Sequence, residues 1–310
     1  MRALICGSMA YDTIMVFHDK FKHHILPEKV HMLNVSFLVP TIRREFGGCA
    51  GNIAYNLNLL GERPAIMATV GHDFEPYAQW LNSCKISTQY IRTMDSEYTG
   101  QAYITTDEDD NQITAFHPGA MNFSHENSVV DAENITIGIV SPDGKEGMQV
   151  HAKEFVEQEI PFIFDPGQGM PMFDGKELLE LLDLATYATF NDYESELMQE
   201  RTGLSLEQIA EKVDALIITM GGKGSKIYTD GKCIDIPSAK AKELADPTGC
   251  GDAYRAGLLY GIINEYDWEI TGRIASLLGT IKIEHHGTQN HKFTMESFKI
   301  RYQESFGSSF

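Results

Sequence analysis

Asp246-Pro247-Thr248-Gly249-Cys250-Gly251-Asp252-Ala253-Tyr254-Arg255-Ala256-Gly257 is the stretch on which the reading of this chain turns. Small residues form a tight turn that leads into the carboxylate of Asp252. An apolar segment rich in small residues follows, from Ala253 to Ile263, with the character of a buried helix. The glycines let backbone N–H groups converge on one point, and a helix N-terminus adds partial positive charge there. Gly249, Cys250 and Gly251 thus outline an anion hole with Asp252 at its rim. An acid in that place repels the group the turn attracts. The conflict resolves if Asp252 takes a proton from a nucleophile that attacks a phosphoryl group, which points to a phosphotransferase.

Upstream of this turn the chain alternates. Strands are expected at 2–6, 64–70, 135–140, 161–164, 186–190 and 214–219. Helices are expected at 50–60, 74–82, 146–157, 174–183 and 192–212. Such alternation predicts an α/β fold, a mostly parallel sheet with helices on both faces. A hairpin is expected at 225–229 and 232–236, around Asp230-Gly231. Three helices, 252–263, 267–284 and 293–303, close the chain. Irregular strand-like segments at 12–45 and β segments at 88–117 predict a small β-sheet lid on the edge of one domain, 1–310. The acidic run Asp107-Glu108-Asp109-Asp110 reads as a solvated turn within it.

The 310 residues carry 44 acidic and 25 basic side chains, a formal charge of −19. That balance disfavours nucleic acid and anionic membrane as partners. The first residues turn polar too soon for a signal peptide. No apolar run approaches the ~20 residues that cross a bilayer. Five scattered cysteines, Cys6, Cys49, Cys84, Cys233 and Cys250, form no disulfide framework and suit a cytoplasmic protein. The histidines at 23, 24, 31, 285, 286 and 291 have no zinc-site spacing.

Two further glycine-rich elements carry chemistry. Gly47-Gly48-Cys49-Ala50-Gly51-Asn52 opens a helix; it either packs tightly or lets a substrate approach Gly48, with Asn52 offering a donor and an acceptor. Thr219-Met220-Gly221-Gly222-Lys223-Gly224 follows a strand, where nucleotides sit in open α/β sheets, or else makes a plain hairpin turn. It is neither a Walker A loop nor a dinucleotide fingerprint, which counts against an oxidoreductase. Asn191-Asp192-Tyr193-Glu194 reads equally as an N-cap with first-turn acids or as a partner of Mg2+-bound water. Asp12, just past the first strand, is a turn residue or a ligand for a sugar diol.

In this order, Gly47-Gly48-x-x-Gly51-Asn52 and Asp246-Pro247-Thr248-Gly249-Cys250-Gly251-Asp252 resemble the two signatures of the ribokinase-like (PfkB) kinases. The set, with Asp12, Asn191, Glu194 and the 219–225 loop, spans nearly the whole chain. Pro247 and Cys250 stand where Thr and Ala are common. The segments 252–257 and 282–290 resemble the adenosine and broad-specificity nucleoside kinase branch. The resemblance implies ATP-dependent phosphorylation of a nucleoside 5′-hydroxyl, with Asp252 as general base and the N–H groups of Gly249, Cys250 and Gly251 on the moving phosphoryl group. Asp12, Gly48 and Asn52 would hold the ribose. Phe37, Tyr103 and Phe116 are available for stacking on a base, and Gln101 for its edge. Asn191, Glu194, Thr219, Gly221, Gly222 and Gly224 would line the ATP site. Glu194 would meet Mg2+ through water, and the 285–290 loop would lie near the adenine. A K+ ion would sit on Asp246, Thr248 and carbonyls of that loop. A homodimer through the lid is a further implication. A sugar kinase of the same family and a non-catalytic nucleotide sensor are the alternatives.

Overall fold

The computed structural model describes residues 2–25, 34–109 and 111–310. His31, Met32 and Asp110 lie outside the described residues.

The first strand, β1 (Ala3–Cys6), is buried on both faces and lies third from one edge of a nine-stranded sheet. On one side it pairs in parallel with β4 (Ala65–Gly71), which pairs with β5 (Ser87–Met94). On the other it pairs with β8 (Ile137–Val140), followed by β9 (Phe162–Phe164), β10 (Tyr187–Asn191) and β11 (Ala215–Thr219), all parallel. An antiparallel pair, β12 (Ser225–Thr229) and β13 (Lys232–Ile236), closes that edge. The chain leaves β1 in one direction and later resumes in the other, so the strand order switches between β1 and β8. In open α/β sheets ligands bind beyond the carboxyl ends of strands at such a switch.

Alternation along the strands feeds two apolar layers. Ile5, Ile139, Ile163 and Ile217 face one core, and Leu4, Val140, Phe164 and Leu216 face the other. The first core receives α1 (Cys49–Leu59), α2 (Glu75–Ser83), α7 (Cys250–Ile263), α8 (Trp268–Ile283) and α9 (Met295–Phe306). The second receives α3 (Lys145–Glu157), α4 (Gly175–Leu184), α5 (Asp192–Thr202) and α6 (Leu206–Ala210). The expected helix over 192–212 is therefore two. Gly203 ends α5 in the left-handed conformation, and Ser205 caps α6 anew.

The small sheet has the order β3-β2-β6-β7, with β2 (Ala10–Val16), β3 (Thr41–Gly47), β6 (Gly100–Thr106) and β7 (Gln112–His117). The 88–92 strand expected here belongs to the large sheet as β5, because it follows α2 directly and pairs with β4. Asp107 is not a solvated turn residue. It is buried, and its carboxylate accepts from the N–H groups of Phe21, Asp109 and Asn111, fastening the outer end of the small sheet.

Candidate active site

The sheets meet around Asp252, in the first turn of α7. Burial of most of the carboxyl environment pushes Asp252 up to about 6, opposed by a hydrogen bond from Asn52 and by the Arg255 charge. Asn52 Nδ2 donates to Asp252 Oδ2 at 2.8 Å, across 200 residues of sequence. The amide is held the right way round, because its Oδ1 accepts from Gln289 Nε2 at 3.0 Å. Gln289 Nε2 also reaches Tyr77 Oη, while its Oε1 accepts from Trp80 Nε1 at 2.8 Å. A hydrogen-bonded relay, buried at Gln289 and Asn52, thus runs from Trp80 to the acid. Within the 285–290 loop, Gln289 turns inward under Asn52, and Asn290 reaches Glu45.

Asp12 is a strand residue of β2, not a turn residue. Its carboxylate oxygen lies 2.4 Å from where a Cβ on Gly47 would stand, so that glycine keeps room for it. Burial pushes Asp12 up to about 6, helped by the like charges of Asp252, Glu45 and Asp246. Asp12 and Asp252 therefore share one electrostatic site. Register places Phe116 on the same face of the small sheet, through Asp12↔Ala102 and Ala102↔Phe116. Gln101 pairs with Tyr11 and falls on the opposite face, where its amide donates to Asp73 at 3.1 Å. Tyr103 shares that face and donates to Gln101. Phe37 packs against Phe17 and Phe21, with ring centroids 4.8 and 5.1 Å away. Of the residues expected to meet a base, Phe116 alone lies on the face of Asp12.

At the other side of Asp252 the carboxyl ends of the parallel strands converge. Asn191 and Thr219 are register partners at the ends of β10 and β11. Asn191 and Glu194 form a capping box: Glu194 N donates to Asn191 Oδ1 at 2.7 Å, and Asn191 N donates to Glu194 Oε2 at 2.8 Å. The capping reading of this motif is thus realised. Met220 N donates to Gly224 O, and a short 3-10 turn over Gly221–Lys223 joins β11 to β12, so the third glycine element is a hairpin turn. Gly221 and Gly222 are exposed, with open space where their side chains would be.

Between these elements runs a charge network that local sequence does not announce. Arg255, one turn after Asp252, donates bidentately to Asp165 at 3.0 and 2.8 Å, both side chains buried. Its Nη2 lies 4.0 Å from Glu194 Oε2. The Asp165 charge holds Arg255 above its usual value against desolvation, and burial and Asp165 push Glu194 up. The pairing leaves Arg255 as a strut between α7, β9 and α5. Of the three N–H groups expected in the anion hole, that of Cys250 closes the turn by donating to Pro247 O at 3.2 Å. Those of Gly249 and Gly251 find no acceptor among the described residues. No group of three or more His, Cys, Asp or Glu side chains that could hold a metal occurs among the described residues. No helix there is long and apolar enough to cross a membrane.

A base candidate at a helix N-terminus, beside the small sheet and the carboxyl ends of a doubly wound sheet, defines a phosphotransferase site. The chain belongs to the pfkB family of carbohydrate kinases, whose family model matches residues 9–294. It is 33% identical over 290 residues to the nucleoside kinase of Methanocaldococcus jannaschii, covering 93% of this chain and 95% of that protein. The structure of Burkholderia thailandensis nucleoside kinase in complex with inosine is similar at 50% identity and a TM-score of 0.91, with 99% of each chain covered. Arabidopsis thaliana ribokinase, at 18% identity and a TM-score of 0.76, shares the fold. The chain is accordingly an ATP-dependent kinase with the ribokinase-like architecture.

Proposed function

We propose that this kinase transfers the γ-phosphoryl group of ATP to the 5′-hydroxyl of a nucleoside, with Asp252 as the general base. The observation that carries the assignment is the Asn52–Asp252 hydrogen bond. It fixes one carboxylate oxygen, and the other would receive the hydroxyl proton. A base held near pH 6 is charged at neutral pH yet basic enough to be useful. Asp12, Gly48 and Asn52 would bind the ribose, and Phe116 would cover the base. The N–H groups of Gly249 and Gly251 would receive the charge on the phosphoryl oxygens. Mg2+, when bound with ATP, neutralises phosphate charge. It fits a site where phosphates supply most ligands, with Glu194 contributing through water. The nucleoside acceptor is favoured over a free sugar by the similarity to nucleoside kinases across nearly the whole chain.

An acceptor screen for ADP release tests this. Inosine or adenosine should exceed ribose and fructose by at least about tenfold in kcat/KM, a gap of roughly 1.4 kcal/mol. A tenfold preference for a free sugar would replace the nucleoside and leave the kinase intact. Binding of ATP and nucleoside without turnover would instead make the protein a sensor. The reaction would return nucleosides to the nucleotide pool in the cytoplasm, a salvage role. The face of the small sheet opposite Asp12 exposes Ile42, Tyr103 and Ile113, which suits pairing with a second copy through the lid.

A further inference from the structure

Lys282 lies in the last turn of α8, and its side chain is fully buried. Its ammonium donates to two backbone carbonyls, that of Asp246 at 2.9 Å and that of His285 at 3.0 Å. The first belongs to the turn before the anion hole, the second to the loop after α8. The family resemblance placed a K+ ion between these two segments. The residues do not fit one. Asp246 Oδ1 accepts from Thr248 N at 2.9 Å, and its Oδ2 accepts from Gly287 N at 3.0 Å. The Thr248 residue is exposed. A K+ ion needs several oxygens to replace its hydration shell, and here an ammonium already takes the carbonyls.

We propose that Lys282 is a built-in monovalent cation, a positioning residue that joins the 246–249 turn to the 285–290 loop and frees this kinase from a need for K+. An ammonium carries the same single charge as K+ and presents three donors to oxygens. Because it is tethered, no ion has to be captured and ordered. The end of α8 supplies the partial negative charge that favours a cation there. Burial holds Lys282 below the usual lysine value, although Cys250, Asp246 and Asp252 act in the opposite direction. Lys282 does not touch either substrate. It acts by fixing where the Gly249 and Gly251 N–H groups point, and so where Asp252 stands.

The test is ADP release with the best acceptor of the screen, in buffer free of K+, Na+ and ammonium, with tetramethylammonium chloride setting ionic strength. Wild-type kcat should change less than about twofold when K+ replaces tetramethylammonium at about 100 mM. Lys282→Ala should lose at least about 30-fold in kcat with little change in either KM, because the anion hole acts on the transition state. K+ or methylammonium should then restore kcat by about tenfold or more, and tetramethylammonium should not. Lys282→Met, which fills the space with an apolar chain, should stay low in every salt. The proposal is overturned by a wild type that K+ activates more than about fivefold. It is also overturned by a folded Lys282→Ala that is fully active without added cation, or that neither cation restores. Should Lys282→Ala fail to fold, the wild-type response to K+ still decides. None of these readouts depends on whether the acceptor is a nucleoside or a sugar.

Discussion

Two helices of this protein begin in glycine-rich turns and point their N-termini at the same centre, yet they do different work. At the start of α1, Ser8 takes both leading N–H groups: Cys49 N donates to Ser8 Oγ and Ala50 N to Ser8 O. Gly48 is pressed against the backbone of residues 8–10, where a Cβ would come within 2.5 Å of Ser8 O and 2.7 Å of Met9 Cα. At the start of α7, Gly249 and Gly251 N–H have no acceptor among the described residues, and a Cβ on Gly249 would first meet the side chain of Thr288, at 3.1 Å. Both Gly48 and Gly249 have positive φ, 85° and 79°. One glycine exists so that backbone can touch backbone. The other sets the direction of donors that await an anion. A helix N-terminus becomes a binding site only where the protein has not already satisfied it.

The largest effect should come from the acid between the two termini. Asp252→Asn keeps the shape and removes the base, and kcat should fall about 10²–10⁴-fold; turnover within threefold of wild type would remove Asp252 from the chemistry. The same variant should be more stable at alkaline pH. Asp252 has a folded value of about 6, above its ordinary value. Its contribution to stability is therefore fully present below the unfolded value and lost as pH rises through 6. At pH 8 the wild type carries a desolvated charge that Asn lacks. The gain should be on the order of 1 kcal/mol after allowance for solvent screening, and it should vanish when melting is repeated near pH 4.

Alanine at each glycine separates the two helix starts. Gly48→Ala must push backbone apart as well as bear the left-handed conformation, a cost of about 3 kcal/mol or more. It should read chiefly as lost stability, a melting temperature lower by roughly 6 °C. Gly249→Ala bears the conformation but asks only Thr288 to shift, a cost of about 1–2 kcal/mol. It should melt closer to wild type, yet lose about tenfold or more in kcat as the donors turn away. Equal losses of stability with equal losses of rate would erase the distinction.

The turn at 246–257 was legible because glycine conformation, helix dipole and an acid at the rim are all local signals. The alternation of strands and helices was legible for the same reason. What escaped reading depends on pairing between distant segments. Nothing near Arg255 names Asp165, 90 residues earlier, as its partner. Gln289 was visible as part of a loop motif, but its inward turn toward Asn52 is a contact across 237 residues of sequence. Pairing with Tyr11 puts Gln101 on the face opposite Asp12, and a strand's own sequence does not fix its register. The 88–92 strand has the same period in either sheet. What marks Lys282 is the distant carbonyl of Asp246, and in sequence it is one more last-turn lysine.

The smallest predicted effect sharpens the comparison furthest, because it asks whether α1 influences the base on α7 at all. In wild type, kcat/KM measured at saturating Mg-ATP should fall as pH drops through about 6, since both Asp252 and Asp12 sit there. The limb belongs to the pair, whose like charges resist simultaneous ionisation. Asn52 donates to the charged form of Asp252, so it lowers the value of that acid. Asn52→Ala removes the donor and should move the acid limb upward by about half a unit. Gln289→Leu should move it in the same direction by less, because Gln289 reaches the acid only through the Asn52 amide it orients. A limb that stays in place in Asn52→Ala would mean that α1 serves the acceptor and the fold but does not tune the base.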